Sequence, residues 1–140
     1  MSFSEQISPF LGRCALVWYF LSVAGDILDN FHGLDLQLAA KHMPLPPLLL
    51  VVALVLIVLG CFSLLFGYHA RHGAVLLFGL SIVAAVALHD YWHVAPENGR
   101  AALFALFTRD VAVAGGLMVI VGLGAGPFAL DNKSGGGKRR

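Results

Sequence analysis

From Leu48 to Tyr68 the chain carries no charged side chain. As a helix such a run spans about 30 Å, the thickness of a bilayer's hydrocarbon core. Three further apolar runs, at about 10–31, 73–93 and 101–124, are of similar length. Backbone groups in hydrocarbon must find their hydrogen-bond partners within the structure, and a helix supplies them segment by segment. The expected fold class is therefore all-α: an integral membrane four-helix bundle within residues 1–130, followed by a flexible basic tail at 131–140. Only 12% of residues are charged, against about 25% in soluble domains, so the lipid bilayer is the expected surrounding. A net charge of +1 leaves no strongly basic face for nucleic acid.

The connections set the topology. Met43-Pro44-Leu45-Pro46-Pro47 closes the 32–47 linker and marks the start of the second span, since proline suits only a first helical turn. His69-Ala70-Arg71-His72 is short enough to make spans two and three an antiparallel hairpin. Arg13, Arg71, Lys133, Lys138, Arg139 and Arg140 then share one side, and Lys41 and Arg100 the other. By the positive-inside rule both termini are expected in the cytoplasm. Met1 to Pro9 lacks the basic start and cleavage pattern of a secretory signal and is expected to be retained. Arg13 is expected to snorkel to the headgroups, and the tail to lie against anionic lipid.

Candidate chemistry gathers at the non-cytoplasmic side. His89-Asp90-Tyr91-Trp92-His93 closes the third run, and on a continuous helix His89 and His93 would stack on one face. A fourth helix starting near Ala101 would carry Arg109 about 12 Å inward as a buried cation. Counting from that interface puts Asp26, His89, Arg109 and Asp110 in one layer, with Asp29, His32, Asp90 and His93 nearer water. Arg109 and Asp110 are neighbours along the helix and are expected to look to other helices, Arg109 to Asp26, and Asp110 or Asp29 to a histidine. Ionisable groups at such depth define a candidate site.

Histidine beside a carboxylate can bond a quinone carbonyl and exchange its protons, with Tyr91 and Trp92 flanking the ring. A metal site would need further ligands beyond His89, His93 and an aspartate, and no metal ligand set is assigned. Haem ligation would need histidines on facing helices. The alternative to all of these is an ion-pair network that only fixes the bundle. Cys14 and Cys61 lack redox spacing and read as small hydrophobes. Trp18 and Tyr19 read as packing or interfacial anchors, and Gly122 to Gly126 with Ala112 to Gly116 as small-residue helix contacts, within the bundle or in a homo-oligomer.

The order Pro9-Phe10-Leu11-Gly12-Arg13, Phe20 through Gly25 to Asn30-Phe31, the proline-rich start of span two, His89-Asp90-Tyr91-Trp92, and Phe107-Thr108-Arg109-Asp110-Val111-Ala112 with Gly115-Gly116 resembles the DoxX family of small four-helix membrane proteins. The likeness covers nearly the whole chain. It implies a multi-pass protein of the bacterial cytoplasmic (inner) membrane, and some relatives are subunits of quinone-linked redox complexes. The chain departs from the family in offering Ile27 beside Asp26 where relatives often carry lysine, and Asp110 where they carry asparagine. The expected function is a subunit of a membrane oxidoreductase assembly, with a soluble or membrane partner and a quinone or polar ligand held by Asp26, His89, Tyr91, Trp92, His93, Arg109 and Asp110. The chain has no cofactor motif for an autonomous enzyme. A non-catalytic assembly or scaffold subunit, and a small dimeric proton-coupled transporter using Asp26, are the competing expectations.

Overall fold

The computed structural model describes residues 3–124 and Gly126; the tail 131–140 lies outside the described residues. Its helices are α1 (Phe3–Asp29), α2 (Phe31–Ala40), α3 (Pro46–Phe66), α4 (Ala70–Leu88) and α5 (Arg100–Leu123), with 3₁₀ turns at Tyr91–His93 and Pro96–Asn98 before α5. Segments Ile7–Asp29, Pro46–Phe66, Ala70–His93 and Arg100–Leu123 are long and apolar enough to cross a membrane. The chain is a multi-pass helical membrane protein, and the described ends of α1 and α5 meet at one end of the bundle, where Pro9 lies against Gly126.

Each crossing helix buries one stripe. In α1 the buried positions are Arg13, Val17, Phe20, Ala24 and Ile27, and in α5 they are Asp110, Ala114, Leu117 and Ile120. Steps of three and four residues keep each set on a single helical face. The outward faces stay apolar, as in Val51, Val55, Leu59 and Phe62 of α3, which is what lipid contact requires. The most extensive packing is α4 on α5, then α3 on α4 and α1 on α3. Two small residues set the α3–α4 approach: a side chain at Gly60 would strike Leu77, and one at Gly73 would strike Ser63. Close backbone approach through small residues replaces the hydrophobic drive that lipid removes. Gly67 ends α3 at φ 65°, a left-handed turn that glycine adopts without steric cost.

Four expectations are corrected. The linker 32–47 contains α2, because Phe31, Leu34 and Leu38 fall at helical spacing and pack inward, Leu38 at 5% exposure. The third helix stops at Leu88, so His89 and His93 do not stack on one helical face. Tertiary bonds take over there: Lys41 Nζ donates to the Ala87 carbonyl at 2.6 Å and to Asp90 Oδ1 at 2.5 Å, satisfying a terminal carbonyl that another helical turn would have used. Arg13 does not snorkel; it is 2% exposed, on the buried stripe of α1, and its Nη1 donates to the Leu64 carbonyl at 3.3 Å. Arg109 is not a buried cation, since the side chain remains 44% exposed although α5 runs unbroken from Arg100.

Candidate functional site

Asp110 is carried inward by the same stripe that buries Ala114 and Leu117, and only 2% of it is exposed. A carboxylate in that position must be fully hydrogen-bonded to be tolerated. The hydroxyl of Tyr19, from α1, donates to Oδ1 at 2.6 Å. Arg109 Nε and Nη2 reach the same oxygen at 3.3 Å each. His89, at the end of α4, places Nδ1 2.7 Å from Oδ2. A carboxylate that already receives Tyr19 and Arg109 on Oδ1 accepts from the imidazole on Oδ2, so Nδ1 carries the proton and Nε2 is left for exchange with a ligand. Three crossing helices thus meet on one acid.

Beside this cluster is a cavity of about 180 Å³. Phe20, Val23, Ile27, Leu50 and Leu80 supply apolar walls, while Ser81, His89 and Asp110 bring the polar groups, and Leu34 of α2 borders it as well. A void of about 150 Å³ accepts a benzene ring, so this one is of ring size. Ser81 is 5% exposed and its Oγ has no hydrogen-bond partner. The usual solution for a hydroxyl in an apolar helix is to bond back to a carbonyl one turn earlier. Ser22 does so with Trp18 at 3.0 Å, and Thr108 with Phe104 at 3.0 Å. Ser81 does not; the residue lines the cavity, and its oxygen is buried without a partner.

The expected site residues divide into two groups. Asp26, His89, Arg109 and Asp110 all border the cavity. Asp26 is exposed at its edge and makes no ion pair with Arg109. Arg109 instead turns back onto its neighbour Asp110, against the expectation that adjacent residues would look elsewhere, because its long side chain folds over the Tyr19 ring with the guanidinium carbon 5.2 Å from the centroid. Tyr91, Trp92 and His93 lie away from the cavity. Tyr91 packs edge-on to Phe104 and Phe107, at 5.1 and 5.4 Å between centroids, and Trp92 packs on Phe107. They fasten the 3₁₀ segment to α5. His93 pairs with Asp90 at 3.2 Å, whereas His89 pairs with Asp110. Among the described residues no three histidine, cysteine or acidic side chains converge as metal ligands.

Sequence reasoning missed Tyr19 and Ser81. A signal existed for both: Tyr19 stands two turns before Asp26 and Ser81 two turns before His89, the separations that return a helix to the same face.

A carboxylate buried between crossing helices, bonded to tyrosine and histidine beside a ring-sized cavity, defines a helical membrane protein with an internal polar site. The DoxX family profile matches residues 8–90, and the chain belongs to the DoxX family. The matched region covers most of α1 and all of α2, α3 and α4, and α5 with Asp110 follows it. No curated protein and no solved structure matches the chain.

Proposed function

We propose that the cavity between α1, α3, α4 and α5 binds the head group of a quinone, and that the protein serves as a subunit of a quinone-linked redox assembly in a bacterial cytoplasmic membrane. The observation that carries this reading is that Ser81, whose buried hydroxyl has no partner, lines the same ring-sized space as His89 and Asp110. A quinone head offers two carbonyl acceptors on a flat apolar ring. Ser81 Oγ–H, which has no partner, would donate to one of them on turning toward the cavity, and the apolar walls suit the ring. His89 Nε2 can take a hydroxyl proton from the reduced form. The resulting imidazolium is then stabilised by Asp110 through Nδ1, with Tyr19 and Arg109 holding that carboxylate in place. The electrons belong to a partner's redox centre, so this chain supplies binding and proton handling.

The test uses detergent-purified protein equilibrated with decylubiquinone and washed, with retained quinone read by absorbance. About one ring per chain is expected, with loss in Ser81→Leu, which fills the cavity, and in His89→Ala, but not in His72→Ala. No retention by the intact protein, or equal retention by Ser81→Leu, overturns the reading. If retention is absent while an oxidoreductase partner still assembles, the Tyr19–Asp110–His89 network is a structural fastening.

A further inference from the structure

At the opposite end of the bundle Arg13 presents a buried charge without a counter-charge among the described residues. The residue is 2% exposed. Its Nη1 donates to the Leu64 carbonyl, its Nε has no partner, and the guanidinium carbon stands 5.7 Å from the Phe10 ring centroid. Among the described residues no carboxylate pairs with it. A carbonyl at a helix C-terminus and an aromatic face attract a cation, but neither neutralises it, and a buried guanidinium lacking an anion is costly.

Arg13 borders a cavity of about 560 Å³ between α1 and the end of α5, with Ser8, Gly12, Leu16, Val119 and Gly124 around it. A second cation reaches its rim, since a methyl group added at Gly124 would lie 3.5 Å from Arg71 Nη2. The depth is informative. Leu64 is in the last turn of α3, Gly124 follows the end of α5, and Ser8 is beside the start of the first crossing segment. All three are at ends of segments long and apolar enough to cross a membrane, the level at which a bilayer carries its lipid phosphates. Below that layer the cavity continues along Leu16 and Val119, an apolar surface suited to an acyl chain.

We infer that this cavity binds a phosphate group, held by Arg13 with Arg71 at the rim, and that the phosphate is carried by a membrane phospholipid. Guanidinium and phosphate match in charge and in planar, two-pronged donor geometry. The site is separate from the quinone cavity and does not depend on it.

Native mass spectrometry of the detergent-purified full chain tests this. The protein is titrated with dioleoylphosphatidylglycerol, with dioleoylglycerol, which has the same tails and no phosphate, and with inorganic phosphate as competitor. One phosphatidylglycerol per chain should survive activation, and dioleoylglycerol should not. Arg13→Gln should weaken retention about tenfold or more, the worth of a charge-assisted bond. Because that variant disturbs a buried contact, Gly12→Leu is the companion: Gly12 lines the cavity and a Cβ there meets nothing within 4 Å, so a leucine is expected to be tolerated and to narrow the cavity, with folding checked by far-ultraviolet circular dichroism, and retention should fall likewise. Displacement by millimolar inorganic phosphate would identify the same phosphate site as filled from solution, and resistance identifies the lipid. Equal retention of dioleoylglycerol, or unchanged phosphatidylglycerol binding in Gly12→Leu, overturns the inference.

Discussion

Removing Tyr19 and Asp110 singly and together measures the strength of the buried cluster. Neutral hydrogen bonds between membrane helices average only about 0.6 kcal/mol, whereas bonds to an ionised group contribute about 1.5–3 kcal/mol. The Tyr19 and His89 bonds, at 2.6 and 2.7 Å to a carboxylate 2% exposed, belong to the second class. Tyr19→Phe removes one such bond and should cost about 1.5 kcal/mol. Asp110→Asn keeps the size but sets an amide N–H₂ against either the Tyr19 hydroxyl or His89 Nδ1–H, and its expected cost is about 3 kcal/mol, the low end for breaking a buried charged network. Once the charge is gone the tyrosine has little left to lose, so in the Asp110→Asn background Tyr19→Phe should cost only about 0.5 kcal/mol. The coupling is thus about 1 kcal/mol, within the range seen for contacting pairs. Arg109→Gln is the internal comparison, since its 3.3 Å bonds come from a side chain 44% exposed and should be worth less than about 1 kcal/mol. Equilibrium unfolding by sodium dodecyl sulfate in mixed micelles, followed by far-ultraviolet circular dichroism, supplies all four values. Additive costs for the double variant, within about 0.3 kcal/mol, would refute the claim that Tyr19 and Asp110 act through one bond.

Two further outcomes follow from packing and from the end of α4. Gly60→Ala puts a methyl group 2.5–2.8 Å from the branched end of Leu77, itself fully buried. The same unfolding assay should show a loss of about 1–3 kcal/mol from overpacking, and a neutral result would mean that α3 and α4 do not approach this closely. Lys41→Met breaks the bonds to Ala87 and Asp90, but the paired side chains are 26% and 20% exposed, so global stability should fall by only about 1 kcal/mol. Hydrogen exchange should quicken from Ala87 to His93 and stay unchanged in α3; uniform protection throughout would remove Lys41 from the role of helix cap.

Much of the bundle was legible in the residues because crossing a bilayer is a demand on each segment by itself. Leu48 to Tyr68 needs only length and the absence of charge to specify a spanning helix. A histidine as the partner of Asp110 or Asp29 was also legible, since four alternating spans bring the end of the third beside the early part of the fourth; which acid and which histidine was not. Other features depended on which way a helix is turned about its axis. Arg13 reads as a headgroup anchor by its distance from the chain start, yet its spacing to Val17, Phe20 and Ala24 turns it inward. Asp26 reads as buried by depth, and rotation leaves it exposed at the cavity edge. The pairing of Arg109 with Asp110 depended on a long side chain folding back over a ring from another helix.

By itself the sequence determined that this chain crosses a membrane four times, because apolar length and backbone self-satisfaction are local properties that need no neighbour. Only the tertiary structure decided that Tyr19, Asp110 and His89 form one hydrogen-bonded set, that Ser81 lines a ring-sized cavity with its buried hydroxyl unpartnered, and that Arg13 is interior with no acid beside it among the described residues. Those outcomes depend on how the helices are rotated and spaced, and packing between different parts of the chain sets both.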